Sequence, residues 1–277
     1  MQKIPIFAAV KKMTDIIRPI ATELAQFEAF FEKTLHAQTE PMDNIMQYVH
    51  DTQGKRLRPI LVLLSAKLFG EINEQTLRSA TFVEMVHSAT LIHDDVVDDA
   101  NSRRKKASVK AQFGNLSAVL AGDYLLAQAM LLLSQPDDHA ILQEMLRTTA
   151  AMSEGELMQT IVDDCVPQLE STTSQQTQYL DIITRKTAML MRSCCVAGAL
   201  SVKATPKQVQ QIADFGLLFG QLFQMRDDIL DGENIEQAQA LLPVYYEKAL
   251  QSLGSFAPSE IVDTLHDLTV FCTERKE

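Results

Sequence analysis

The chain has 277 residues, enough for one large core, and 46% of them are hydrophobic, as in a globular protein. Acidic residues exceed basic ones by 36 − 25 = 11, which excludes a polyanionic partner such as nucleic acid but not a small anion met by locally gathered cations. Cys165, Cys194, Cys195 and Cys272 show no CxxC spacing and read as reduced thiols of a cytoplasmic protein, neither a disulfide frame nor a zinc site.

In chain order, the N-terminus lacks the charged, apolar, small-residue order of a signal peptide. Ile16, Ile20, Leu24, Phe27, Phe31 and Leu35 then recur at steps of three or four, which predicts a helix. Pro41 opens a second, shorter helix. "QGKRLRP" reads as a turn feeding a helix with Pro59 in its first turn. That helix runs to about Phe69, is apolar nearly all round, and is expected to be central. A long helix over 75–99 follows, and the basic segment 101–110 reads as a loop.

Further helices are predicted over 115–134, 138–163 and 175–202, with breaks at Pro136 and Pro167. Pro206 opens another that ends near Asp231, and two more fill 235–252 and 259–274. The apolar runs carry Lys67 and Arg192, so no transmembrane segment is expected. Scarce glycine and the absence of alternating segments give an all-α class, read as one domain over 1–277.

Two stretches carry the chemistry, "HDDVVDD" and "MRDDILD". Residues four apart on a helix share a face, so Asp94 and Asp98 project together beside Asp95, and Asp227, Asp228 and Asp231 repeat the pattern. Clustered carboxylates repel and need cations, and hard oxygen ligands suit Mg²⁺ bridged to a phosphate. A solvated helix end is the alternative for either motif alone. The pairs Asp137–Asp138 and Asp163–Asp164 lack a third aspartate one turn on and read as surface. Lys55, Arg56 and Arg58 before one apolar helix, and Arg103 to Lys106 after the first motif, supply cations whose forks match phosphate oxygens. On this reading the charges serve a shared anionic ligand and not each other.

With these residues in place the chain resembles the trans-isoprenyl diphosphate synthases, in particular the long-chain polyprenyl (octaprenyl-type) branch. "GKRLRP", "HSATLIHDDVVD", "RR" at 103–104, "GDYLL", "EGELMQ", "KTA" at 186–188 and "FGQLFQMRDDILD" follow the family's order over most of 54–231. The resemblance implies a helical bundle around a deep central cavity, a homodimer, and a prenyltransferase that joins isopentenyl diphosphate to an allylic diphosphate. It implies that Asp94, Asp95, Asp98, Asp227, Asp228 and Asp231 hold Mg²⁺ against the allylic diphosphate. Arg103, Lys186, Thr187 and Gln224 become further contacts to that substrate, and Lys55, Arg58, His87 and Arg104 the isopentenyl diphosphate site. In such a mechanism the aspartates orient metal, and the proton is lost to the departing pyrophosphate.

A helical turn rises 5.4 Å, about one isoprene unit. Short-chain members tend to carry aromatic blocks four and five residues before the first motif. Here those positions are Thr90 and Ala89, with Val86 a turn deeper, which predicts an open tunnel and a product well beyond fifteen carbons. Close helix packing is the alternative reason for small residues there.

Two departures stand out. The family's glycine-lysine-proline after the arginine pair is Lys105-Lys106-Ala107 here, which predicts a looser loop. After Asp231 a basic, glycine-rich segment of roughly 40 residues, a loop and two or three short helices by ordinary lengths, is missing before residue 232. Omission of a mobile segment and a true deletion are the two accounts, and an intact mass compared with 30.9 kDa separates them. The rival functions are a non-catalytic subunit of a heteromeric synthase, a terpene cyclase and a purely structural bundle.

Overall fold

The computed structural model describes residues 11–52, 54–165 and 175–275. The chain is helical almost throughout. In order it forms α1 (Met13–Ile16), a 3₁₀ turn (Arg18–Ile20), α2 (Ala21–Leu35), α3 (Glu40–Asp51), α4 (Leu57–Phe69) and α5 (Glu74–Val97). A small hairpin, β1 (Ser102–Arg103) and β2 (Lys106–Ala107), leads to α6 (Val109–Phe113), α7 (Asn115–Leu132) and α8 (His139–Cys165). Then come α9 (Gln175–Ile183), a π-helical turn (Thr184–Ala188), α10 (Met189–Ser201), α11 (Pro206–Asp231), α12 (Ile235–Leu253) and α13 (Glu260–Glu274).

Packing contacts divide the chain into two compact units. The first comprises 22–146 with 197–204, and the second comprises 147–196, 205–277 and the N-terminal residues to Ala21. In the first, α5 packs on α4 and α7. Leu57 and every residue from Pro59 to Ala66 on α4 are buried, as its all-round apolar pattern predicts. A capping box between Asn73 and Thr76 starts α5, and Thr76 and Asn73 also bond Ser201, which ties 197–204 to this unit.

In the second unit, α11 packs against α12, α13 and the π-helical turn. Thr205 and Gln208 form its capping box with Pro206 in the first turn, and left-handed Gly232 ends it. Gly232 to Asn234 then join α11 directly to α12.

Three segments differ from the reading of the sequence. The first predicted helix breaks at 18–20, where Pro19 cannot donate the next helical hydrogen bond. The helix predicted over 175–202 carries the wide π turn. The basic segment 101–110 is not a loop: Ser102 pairs with Ala107 and Arg103 with Lys106 around a two-residue turn, and α6 follows. Arg104 and Lys105 both hold left-handed φ, 52° and 66°, as that tight turn requires. The turn is thus closed and not loosened, without the glycine that usually relieves it.

Among the described residues, α7 is long and apolar enough to cross a membrane by length and composition. On one side it packs on α5, with Ala118, Ala121, Gly122, Leu125 and Ala129 buried, while Leu116, Leu120 and Leu131 stay exposed. Asp163 and Asp164 have side chains outside the described set, while Asp138 is buried and paired with Arg78, a correction to its reading as surface.

Candidate active site

The first unit holds a pocket lined by His87, Arg103, Arg104, Glu84, Asp95 and neighbouring residues of α3, α5 and the hairpin. The C-terminal end of α5 presents Asp95 buried and Asp94 half-buried, and Asp98 closes the helix as its exposed C-cap. The Arg103 Nε donates to Asp95 Oδ1 at 2.8 Å, so at least one pair of the dense charges does serve each other. Burial, and then the positive charges of Arg58, Arg104, Arg103 and Arg56, hold the His87 imidazole well below its ordinary range. It is therefore neutral at neutral pH and surrounded by cations, the environment of an anion site.

Arg104 reaches back over the turn that precedes α4. A Cβ on Gly54 would lie 2.5 Å from the Arg104 guanidinium, so glycine is what lets the two segments meet. Lys55 is exposed, and neither it nor Arg58 lines the pocket, though Arg58 acts on His87 through its charge. Val86 and Ala89 are fully buried on α5, and Thr90 donates to the His87 carbonyl at 2.9 Å.

The neutral His87 fixes a pH dependence. Its unfolded-state value lies above its folded one, so the unfolded chain binds the extra proton first as pH falls. Stability from this residue is present above about pH 6.5 and is lost as pH falls toward the depressed folded value. Urea melts between pH 7.5 and 5.5 are expected to show a smaller loss for His87→Gln than for the unaltered chain; equal slopes would count against a neutral ring.

The second unit carries the other motif on α11. Asp228 is buried and receives the Tyr179 hydroxyl at 2.6 Å and the Gln224 amide at 2.7 Å. The Thr187 hydroxyl in turn donates to Gln224 Oε1 at 2.6 Å, so three elements fix one carboxylate. Burial raises the Asp228 carboxyl above its usual range despite these donors. Asp227 is paired with Arg275 past the end of α13, whose guanidinium lies 4.1 Å from the Phe223 ring centroid. Lys186 lies 3.0 Å from Glu156 on α8, and Asp231 is exposed at the end of α11.

Lys186, Thr187 and Ala188 lie within the π turn. Such wide turns inside helices recur at functional sites, because the extra residue redirects side chains. Tyr179 and Arg275 escaped the reading of the sequence, since each is linked to a motif residue only through the fold, and Glu156 was read within "EGELMQ" without a partner.

The family model for polyprenyl synthetase matches residues 39–239, a span that holds both aspartate motifs. This chain belongs to the polyprenyl synthetase family. Octaprenyl diphosphate synthase of Haemophilus influenzae is 32% identical over 211 residues, covering 72% of this chain and 62% of that protein. The all-trans-nonaprenyl-diphosphate synthase (geranyl-diphosphate specific) of Rhodobacter capsulatus is 34% identical over 224 residues, 80% of this chain and 67% of that one. The chain thus spans less than two thirds of the Haemophilus protein's length and about two thirds of the Rhodobacter protein's.

Among solved structures, a polyprenyl synthase from Caulobacter crescentus, complexed with calcium and isoprenyl diphosphate, superposes with a TM-score of 0.87 at 24% identity. The superposition covers 98% of this chain and 100% of that one, and it establishes the family's all-α fold. Within this chain the expected residues fall into two groups. His87, Arg103, Arg104 and Asp95 meet at one pocket, and Lys186, Thr187, Gln224 and Asp228 meet around the π turn.

Proposed function

We propose that this chain is a prenyltransferase that condenses isopentenyl diphosphate onto an allylic diphosphate to build a long-chain all-trans polyprenyl diphosphate. The observation that carries the reading is the pocket of the first unit. His87, Arg103 and Arg104 converge there, and burial together with the surrounding positive charge keeps the imidazole neutral. A terpene cyclase has no second diphosphate to place in such a pocket.

The metal expected for this chemistry is Mg²⁺. Among the described residues no three His, Cys, Asp or Glu side chains converge as a ready cage. Mg²⁺ commonly uses one or two carboxylates together with substrate phosphates, so aspartates spread along two helix ends fit it. Asp94, Asp95 and Asp98 would form one set of ligands for such a metal, and Asp227, Asp228 and Asp231 a second. Bound there, it would neutralise charge on the allylic diphosphate and its departing pyrophosphate.

The side chains do the rest. Arg103 and Lys186 donate to the allylic diphosphate, and Thr187 and Gln224 orient Asp228 and the same substrate. Arg104, Arg58, Lys55 and neutral His87 bind and orient isopentenyl diphosphate. As the allylic C–O bond breaks, these fixed donors stabilise the oxygen charge that develops. The isopentenyl double bond attacks the resulting cation, and the proton released goes to pyrophosphate.

Full-length protein incubated with farnesyl diphosphate, isopentenyl diphosphate and MgCl₂ is expected to give a product ladder ending at one long chain by mass spectrometry. No isopentenyl-dependent product from farnesyl or geranylgeranyl diphosphate would sink this reading. It would favour a subunit that needs a companion chain, a reading supported by the 31% identity to heptaprenyl diphosphate synthase component 2 of Geobacillus stearothermophilus. Omission of the segment after Asp231 remains our reading of the short Gly232–Asn234 link, with intact mass as its test.

Product length is assigned to the α5 face below Asp94. Ala89→Phe is expected to shift the ladder to shorter products, and an unchanged distribution would remove Val86, Ala89 and Thr90 from this role. A cytoplasmic homodimer completes the proposal. Buried cysteines at 194, 195 and 272, outside any disulfide, suit a reducing compartment. On α7, Leu116 is 74% exposed, Leu120 51% and Leu131 60%, along one helical stripe that a second copy would cover. Leu116→Glu with Leu120→Glu is expected to move the protein from dimer to monomer in sedimentation; a wild-type monomer would refute the assignment.

A further inference from the structure

Resting on the proposed isopentenyl diphosphate site, we propose that Arg56 is a positioning residue. With Glu28 and Glu84 it forms a clamp that holds Lys55 and the start of α4, with Arg58, against the pocket wall. The sequence run "GKRLRP" sends its cations two ways. Lys55 is exposed and Arg58 half-buried, while Arg56 is buried. Its Nε and Nη2 donate to the two oxygens of Glu28 at 2.8 and 2.9 Å, a bidentate fork, and Nη1 donates to Glu84 at 2.7 Å. The guanidinium lies 4.5 Å from the Phe31 ring centroid and 5.6 Å from that of Phe27.

The backbone shows what the clamp holds. Arg56 sits in the left-handed region, φ 55° and ψ 29°, a conformation an arginine adopts only when its surroundings impose it. Its carbonyl accepts the Ile60 N–H at 3.0 Å and so starts α4. Two residues earlier, Gly54 lies against the Arg104 guanidinium. On the far side Glu84 lines the pocket and stands one turn before His87 on α5. The Arg56 side chain thus fixes the relation of α2, the turn and α5, and through them the placement of Lys55, Arg58, Arg104 and His87. A guanidinium with the same burial and partners could serve stability alone, so the test must separate binding of one substrate from folding.

Glu28→Gln lies outside the pocket and removes one charge from the clamp. In steady-state elongation by the full-length protein, it is expected to raise the isopentenyl diphosphate KM about tenfold, as misplacement of a binding group does. The allylic KM and the thermal midpoint should stay near wild type. Arg56→Lys keeps the charge but not the fork and should show the same split. If both KM values rise together, or neither moves in the two variants, the positioning role is wrong. Should wild type make no isopentenyl-dependent product, the proposed function fails separately. Calorimetric binding of inorganic pyrophosphate then decides the clamp: weaker binding by Glu28→Gln supports it, and equal binding overturns it.

Discussion

Asp228→Asn is expected to lower isopentenyl-dependent turnover by about a thousandfold, the scale seen when one preorganised electrostatic group is removed. The substitution preserves size and backbone, so the cause would be chemical. Asp228 accepts from the Tyr179 hydroxyl at 2.6 Å and from the Gln224 amide at 2.7 Å. An asparagine turns one of those acceptors into a donor and sets it against another donor. It also removes the negative charge with which Asp228 would hold a metal cation in the proposed function. Tyr179→Phe is the companion variant, since it keeps the carboxylate but loosens it. Circular dichroism should show both variants helical. Retention of a tenth of the activity by Asp228→Asn would remove this carboxylate from the proposed machinery.

Gly198→Ala is expected to destabilise the fold by about 2–3 kcal/mol, the cost of overpacking a filled core. A Cβ at this position would stand 2.2 Å from the Val62 carbonyl oxygen, 2.9 Å from Ser65 Cβ and 3.0 Å from the Ala66 nitrogen. Two of these atoms belong to the α4 backbone, which is buried almost throughout, so nothing flexible can yield. A fall of several degrees in the thermal midpoint should follow, read by differential scanning calorimetry. An unchanged midpoint would mean that α4 and the end of α10 do not approach so closely. Gly54 makes the contrast, because the atoms above it are the tip of the Arg104 side chain, which can swing aside. Alanine there should disturb ligand binding more than stability.

Helix positions were legible wherever caps and periodicity agreed. Pro206 and the aspartates at 227–231 bracket α11 in the sequence as they do in the fold. The wide turn at 184–188 was not legible, because its residues suit an ordinary helix and the distortion shows only in the hydrogen bonds. The hairpin at 102–107 was hidden for a related reason: Arg104 and Lys105 give no turn signal.

The aspartate motifs could be read from spacing alone, since a carboxylate pair four residues apart declares its own face. Their partners could not. Tyr179 lies 49 residues from Asp228, Arg275 48 from Asp227 and Glu28 28 from Arg56. Such pairings depend on how helices cross, and nothing local in the sequence encodes that.

The turn at Thr184–Ala188 also carries a lesson about chain length. A π turn acts as one surplus residue inside an α-helix, and each α-helical residue advances the winding by about 100°. Removing a single residue there would close the bulge yet leave the phase of α9 and α10 unchanged, so both flanks would keep their buried faces. The same deletion elsewhere in either helix would rotate every later residue off its contacts. The bulge is therefore where this stretch can best absorb a one-residue change in length, and also where that change would displace Lys186 and Thr187.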